Sequence, residues 1–295
     1  MITSLSEDIK EYPELCKKAF NDDVIFNSFR NEWIYTKIIE IVSYKEGLGY
    51  LNTILSQTPE LAASFDEFRK NDEYGGPVVY DYGIYGKFSP TTLRYIKVLS
   101  DIKYFFGDIR KFKVIEIGGG YGGLCRIICN FFAVDSYTIV DIKPALNLTK
   151  KYLSKYNIQN LNFLTANDLD GSKKYDLLIS NYALSECRRP VQQYYFDKVV
   201  KNSSRGYVTW NFIGYKDSFT IKELSEKLKN AAIIASNPER FSMSRILIWG
   251  SAKKFTPYFL FGFNLRARIR DIQIFVSAVR KFRDFLKKKL LSFYF

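Results

Sequence analysis

From Lys113 to Gly250 the chain is a series of short β-rich runs separated by helical stretches, and no other feature narrows the folds open to it as far. The runs are VIEIG (114–118), YTIVDI (137–142), LNFLTA (161–166), YDLLIS (175–180), GYVTWNF (206–212), and a late pair around AAIIA (231–235) and SRILIWG (244–250). Amphipathic segments such as Leu146 to Tyr156 and Val191 to Lys201 lie between them. Buried strands alternating with amphipathic helices predict a mostly parallel sheet covered on both faces, a doubly wound α/β domain. The sequence contains no internal repeat and no low-complexity segment.

The first run leads into Glu116-Ile117-Gly118-Gly119-Gly120-Tyr121-Gly122-Gly123, and an apolar helix, Leu124 to Phe132, follows directly. Glycines in this position let the backbone turn tightly and approach a ligand at the helix N-terminus. The spacing satisfies both Gly-x-Gly-x-x-Gly, for a dinucleotide, and acidic-x-Gly-x-Gly-x-Gly, for S-adenosylmethionine (SAM). Glu116 favours SAM, because a carboxylate at the strand end can receive the methionine ammonium, directly or through water, whereas it repels a pyrophosphate. Asp141 ends the next strand, 21 residues beyond Gly120, where it can accept both ribose hydroxyls. Asn167 and Asp168 follow the third strand and are placed to hydrogen-bond the adenine amino group. The expected cofactor contacts are therefore Glu116, Gly118, Gly119, Gly120, Tyr121, Gly122, Asp141, Asn167, Asp168 and, at the end of the fourth strand, Asn181. A nicotinamide cofactor, and a purely structural turn with surface acids, stay open as alternatives.

After the fourth strand comes Ser180-Asn181-Tyr182-Ala183-Leu184-Ser185-Glu186, where a doubly wound sheet carries a ligand-facing loop. Asn181 and Tyr182 are expected to line the reaction centre and Glu186 to act as base; equally, Ser185 and Glu186 read as the opening of the next helix, where a carboxylate suits the helix dipole. The chain has no histidine, so the commonest general base and metal ligand is missing and acid/base work falls to carboxylates, tyrosine or lysine. A second candidate base is Asp81, in the Tyr-rich loop with Tyr80, Tyr82 and Tyr85. Cys125 and Cys129 share a helix face, but two sulfurs make no metal site, and helix packing is their expected role. No metal is expected.

Residues 1–75 read as a helical cap. Ile34, Ile38, Ile41 and Val42 recur at helical spacing, and Thr58-Pro59-Glu60-Leu61 opens a further helix that runs to Lys70. Residues 76–110 hold the Tyr-rich loop, on the expected substrate side, and a helix from Ser89-Pro90 carrying Leu93, Ile96, Val98 and Leu99. On that helix Thr92 and Arg94 read first as helix-start residues and second as ligand contacts. The sheet domain spans 111–254 and a basic tail 255–295.

The segments YGKFSPTTLRYIKVLSDI (85–102), VIEIGGGYGGLCRII (114–128), YTIVDIKPALNLTKKYL (137–153), DLLISNYALSE (176–186) and RGYVTWNF (205–212) resemble the sugar O-methyltransferase family of bacterial surface-polysaccharide gene clusters, over roughly residues 70–250. That resemblance implies a Rossmann-like methyltransferase sheet and SAM-dependent methylation of a sugar hydroxyl on a lipopolysaccharide, capsule or related lipid-linked glycan. The family's glycine motif matches Glu116 to Gly123, its ribose acid Asp141, and its Asn-Tyr-Ala-x-Ser-Glu motif Asn181 to Glu186, with Leu184 where an aromatic residue is expected.

The net charge of +13 is uneven. Nine basic residues and two acids lie between Phe255 and Phe295, so this segment holds more than half of the excess. From Asn264 to Leu290 apolar residues step by three or four between Arg and Lys, the pattern of an amphipathic basic helix. It suits an anionic membrane surface, and equally docking on the sheet domain or in a homo-oligomer. The remaining residues carry little excess charge and no recognisable RNA-binding appendage, which argues against a nucleic-acid partner. A non-catalytic scaffold that binds through the tail, and an RNA or small-molecule methyltransferase, are the competing functions. The thiol usage and an N-terminus without an apolar signal core predict a cytoplasmic protein, peripheral to the membrane if the tail binds lipid.

Overall fold

A computed structural model describes residues 9–236 and 244–251. The predicted basic tail and its helix lie outside the described residues. Among those described, no helix is long and apolar enough to cross a membrane.

All seven predicted runs form strands of one sheet: β1 (Lys113–Ile117), β2 (Ser136–Val140), β3 (Leu161–Leu164), β4 (Leu177–Asn181), β5 (Gly206–Trp210), β6 (Ala232–Ala235) and β7 (Arg245–Trp249). Their order is β3-β2-β1-β4-β5-β7-β6. The first five are parallel; β7 runs antiparallel to both β5 and β6. This is a doubly wound, Rossmann-like α/β fold. The strand order reverses between β1 and β4, and the crevice beyond their carboxyl ends is the topological switch point.

Alternation along each strand sends side chains into two separate cores. On one face Val114, Tyr137, Ile139, Leu177, Ile179, Tyr207, Ile246 and Ile248 pack into the first core; on the other, Ile115, Ile117, Val140, Leu178, Val208, Leu247 and Trp249 pack into the second. Glu116 shares the parity of Val114 and faces the first core.

The N-terminal helices α1 (Glu11–Asn21), α2 (Trp33–Ile38) and α3 (Tyr44–Gln57) contribute Tyr12, Tyr35 and Ile54 to that same core, together with α4 (Pro90–Phe106), α5 (Gly123–Phe131) and α6 (Lys143–Leu153). α1 packs on α6, and α3 lies along α4. The contact of α1 with α6 is fixed at its end, where Lys151 Nζ donates to the carbonyls of Ala19 (3.1 Å) and Phe20 (2.9 Å) and pairs with Asp23 (2.7 Å). α4 begins as the sequence predicts: Ser89 caps it through the N–H of Thr92 (3.1 Å), and Pro90 is its first residue. The second core is closed by α7 (Arg189–Lys198) and α8 (Ile221–Glu226).

Two cap elements depart from the sequence reading. The periodic stretch Ile34 to Val42 is helical only to Ile38. Glu40 turns inward to Arg30, and Ser43 starts α3 with a reciprocal capping box to Glu46, so residues 39–42 form a strap between the two helices. After Thr58 the chain forms a 3-10 turn, Pro59–Ser64, before the short helix Phe65–Arg69. Thr58 makes no side-chain cap; its hydroxyl donates to Ser100 Oγ at 2.9 Å.

Candidate functional site

The glycine run forms the loop between β1 and α5, at the switch point. Gly118 has φ of +80°, and a Cβ there would clash with the Cβ of Ala183, so the loop touches the segment after β4. Gly120 has φ of +57°, and a Cβ there would stand 3.6 Å from Ile39 Cδ1. The strap of the N-terminal cap therefore lies over the loop.

Glu116, only 2 % exposed, sits beneath Gly119 and accepts a hydrogen bond from Tyr137 OH at 2.9 Å. Burial pushes its carboxyl up to about 8; the Asp141 charge adds to this, and the Tyr137 bond opposes it. No cation lies within ion-pairing distance of Glu116 among the described residues. Tyr137 was legible in hindsight. It lies opposite Val114 in the β1–β2 ladder, so it shares the parity of Glu116 two residues on.

Asp141, at the end of β2, accepts the N–H of Gly120 (3.1 Å) and of Ile142 (2.8 Å), tying the loop to the strand. α1 comes close on the other side: burial, with the Asp141 charge behind it, pushes the Cys16 thiol up to about 12. Asn167 is exposed in the turn after β3. Asp168 closes a capping box with Thr165, accepting its N–H (2.8 Å) and its hydroxyl (2.6 Å), and these bonds hold its carboxyl below the usual range. Its Oδ2 accepts both bonds and shapes the turn that carries Asn167. The Tyr121 side chain does not join this group. Its ring is sealed between Phe29, Tyr35, Tyr95 and Tyr152, with the Arg30 guanidinium 4.5 Å above it, so only its backbone belongs to the loop.

At the end of β4, Asn181 Oδ1 accepts from Thr209 Oγ1 (3.0 Å), while its Nδ2 is buried with no hydrogen-bond partner. Tyr182 turns the chain with φ of +68°, a left-handed conformation rare for a side chain of this size. Glu186 ends the 3-10 turn Ala183–Glu186, and the next helix, α7, starts only at Arg189, so Ser185 and Glu186 do not open it; the Glu186 carboxylate accepts from Asn211 Nδ2 at 2.6 Å. Asn211 Oδ1 in turn accepts from Ser185 Oγ at 3.0 Å. Asn211 follows β5 directly and carried no motif that would single it out.

The Tyr-rich loop is a short antiparallel ladder, Tyr80–Asp81 against Lys87–Phe88, with Tyr80 and Tyr82 packed about Tyr44 at the start of α3. Asp81 is exposed there and accepts the Gly83 N–H at 2.8 Å. Cys125 and Cys129 stand 3.9 Å apart, both as free thiols.

No protein-family model matches the chain, and no curated protein matches it. Solved structures do. The methyltransferase domain of a bacterial Hen1 aligns at 14% identity and a TM-score of 0.41, over 52% of this chain and 96% of that one. An rRNA methylase from Streptococcus thermophilus aligns at 14% identity and 0.38, over 48% and 87%. TrmK of M. capricolum, solved with S-adenosylhomocysteine (SAH), aligns at 14% identity and 0.35, over 52% and 66%.

Proposed function

We propose that this protein is a SAM-dependent O-methyltransferase that methylates a sugar hydroxyl of a bacterial surface glycan or its lipid-linked precursor. The observation that carries the cofactor reading is Glu116, an acid buried below a glycine loop at the switch point with no cation in ion-pairing contact among the described residues. The ammonium of the methionine moiety suits that acid, and a dinucleotide pyrophosphate does not. The residues present fit the group: Glu116 is a buried acid beneath the loop, and Asn181 Nδ2, at the end of β4, is a buried donor with no hydrogen-bond partner. Asp141 would hold the ribose hydroxyls, and Asn167 the adenine edge.

When bound, SAM supplies a sulfonium methyl group for in-line transfer to an oxygen about 3 to 3.5 Å away, so alignment accounts for much of the rate. The protein's own task is to orient the acceptor hydroxyl and take its proton. Glu186, positioned by Asn211, is the favoured base. Glu186→Gln is expected to lower kcat by about 10²- to 10⁴-fold with SAM affinity unchanged, whereas Asp81→Asn leaves kcat near the wild-type value. Unaltered turnover in Glu186→Gln would remove it from that role.

The sugar substrate rests on the sequence resemblance over residues 70–250. Titration calorimetry with SAM separates an enzyme from a scaffold. Mass spectrometry of surface glycans with and without the gene then reports the acceptor, as the loss of one CH2 mass from one sugar. For the basic tail, the membrane reading is the proposal. Flotation with anionic liposomes is expected to carry the full chain upward and to leave a chain ending at residue 254 behind; equal behaviour of the two would refute it.

A further inference from the structure

Four cationic side chains are buried among the described residues: Arg30, Arg94, Lys97 and Arg126. Three have a carboxylate in ion-pairing contact. Arg30 pairs with Glu40 (2.6 Å) and Asp72 (3.1 Å), Lys97 with Asp101 (2.6 Å), and Arg126 with Glu67 (2.9 Å). Arg94 has none. Its Nη2 donates to the carbonyl of Ile39 at 3.2 Å, its Nε is buried with no hydrogen-bond partner, and the residue is only 9 % exposed. A buried charge without a counter-charge is costly, and folded proteins tolerate it mainly where function demands it.

The surroundings of Arg94 identify the missing anion. Ile39, which Arg94 holds by its carbonyl, lies over Gly120 of the glycine loop. Tyr182, at the end of β4, is within the electrostatic reach of Arg94. Tyr95, next to it on α4, is influenced by the charges of both Arg94 and Glu116. Glu40, an acid of the same strap, is already engaged by Arg30. The first core thus holds two complementary groups beside one loop, an acid with no cation and an arginine with no acid in ion-pairing contact among the described residues, Glu40 acting on it only at a distance.

We propose that Arg94 receives the α-carboxylate of the cofactor's methionine moiety while Glu116 receives its α-ammonium, one zwitterion completing both buried charges. This rests on the SAM reading above and adds a residue that the glycine motif does not contain. Thr92, the neighbour of Arg94 at the start of α4, is ruled out of a similar role because its hydroxyl donates to Asp72 at 2.8 Å.

The test is calorimetry on the full chain with three probes: SAH, its decarboxylated analogue, and methylthioadenosine, which lacks the amino-acid portion altogether. Wild type is expected to bind SAH about 30- to 100-fold more tightly than the decarboxylated analogue. Arg94→Met is expected to lose that preference while binding the decarboxylated analogue within about threefold of wild type, and Arg94→Lys to recover part of it. Equal affinity of wild type for SAH and the decarboxylated analogue overturns the proposal without any variant. So does an equal loss of both ligands in Arg94→Met, which would mark a packing role. If wild type binds none of the three probes, the SAM reading itself fails, a result distinct from either.

Discussion

Glu116→Gln is expected to lower the affinity for SAH about 30- to 100-fold at pH 8 and to abolish its pH dependence. Burial raises the wild-type carboxyl from its ordinary 4.5 to about 8, so near pH 7 the ligand-free protein holds it largely protonated. An ammonium ligand needs the carboxylate. Wild-type affinity should therefore climb with pH, by up to about tenfold per unit, and level off near 8. Stability of the ligand-free fold runs in the opposite direction. Between 4.5 and about 8 the folded state retains a proton that the unfolded chain has released, so the fold loses stability as pH rises across this window. The limit is on the order of 5 kcal/mol, and glutamine removes the slope. Calorimetry from pH 6 to 9, with thermal melts of the ligand-free protein over the same range, checks both signs. A wild-type affinity flat across that range would mean that Glu116 does not face the ligand's charge.

Arg30→Met is expected to be the most destabilising change in the cap, by about 3–5 kcal/mol. The Arg30 side chain is fully buried and binds Glu40 and Asp72, whose own side chains are each 8 % exposed. It also donates to the carbonyl of Asn71 (2.8 Å) and to Ser89 Oγ (3.0 Å), and stacks over Tyr121. Removing it leaves two buried carboxylates without a cation. For a domain of this size the melting temperature should drop by roughly 2–4 °C for each kcal/mol lost. Adding Glu40→Leu to the variant should recover part of the loss, because one stranded charge is then gone. If the single variant melts within a degree or two of wild type, the network is not what anchors the cap.

The strands were legible because their information is local. Each is a short apolar run bounded by turn residues, and a two-residue period tells which face a side chain takes. The same holds for Ser89-Pro90, a cap and first turn written in adjacent residues. What the sequence hid are matters of long-range partnership. Ile41 and Val42 keep helical spacing with Ile34 and Ile38, yet the helix ends because Glu40 is drawn to Arg30 ten residues earlier. Tyr121 sits inside the motif but its ring is claimed by the aromatic side chains of the cap. Arg94 shows the converse. Its place at the start of α4 offers a helix-start role first and a ligand contact second, and burial without a carboxylate in ion-pairing contact favours the second.

The placement of β7 has a consequence for how the molecule is made. β6 pairs with β7 alone, and β7 also covers the outer edge of β5. A ribosome that has released residues up to 244 has thus produced a sheet with an open edge at β5 and a strand, β6, with nothing to pair to. Such an edge is a template for association with other chains. Only when Arg245 to Trp249 emerge can both be joined in a single step, so this one strand completes two ladders and moves the open edge from β5, in mid-sheet, to the outer side of β6.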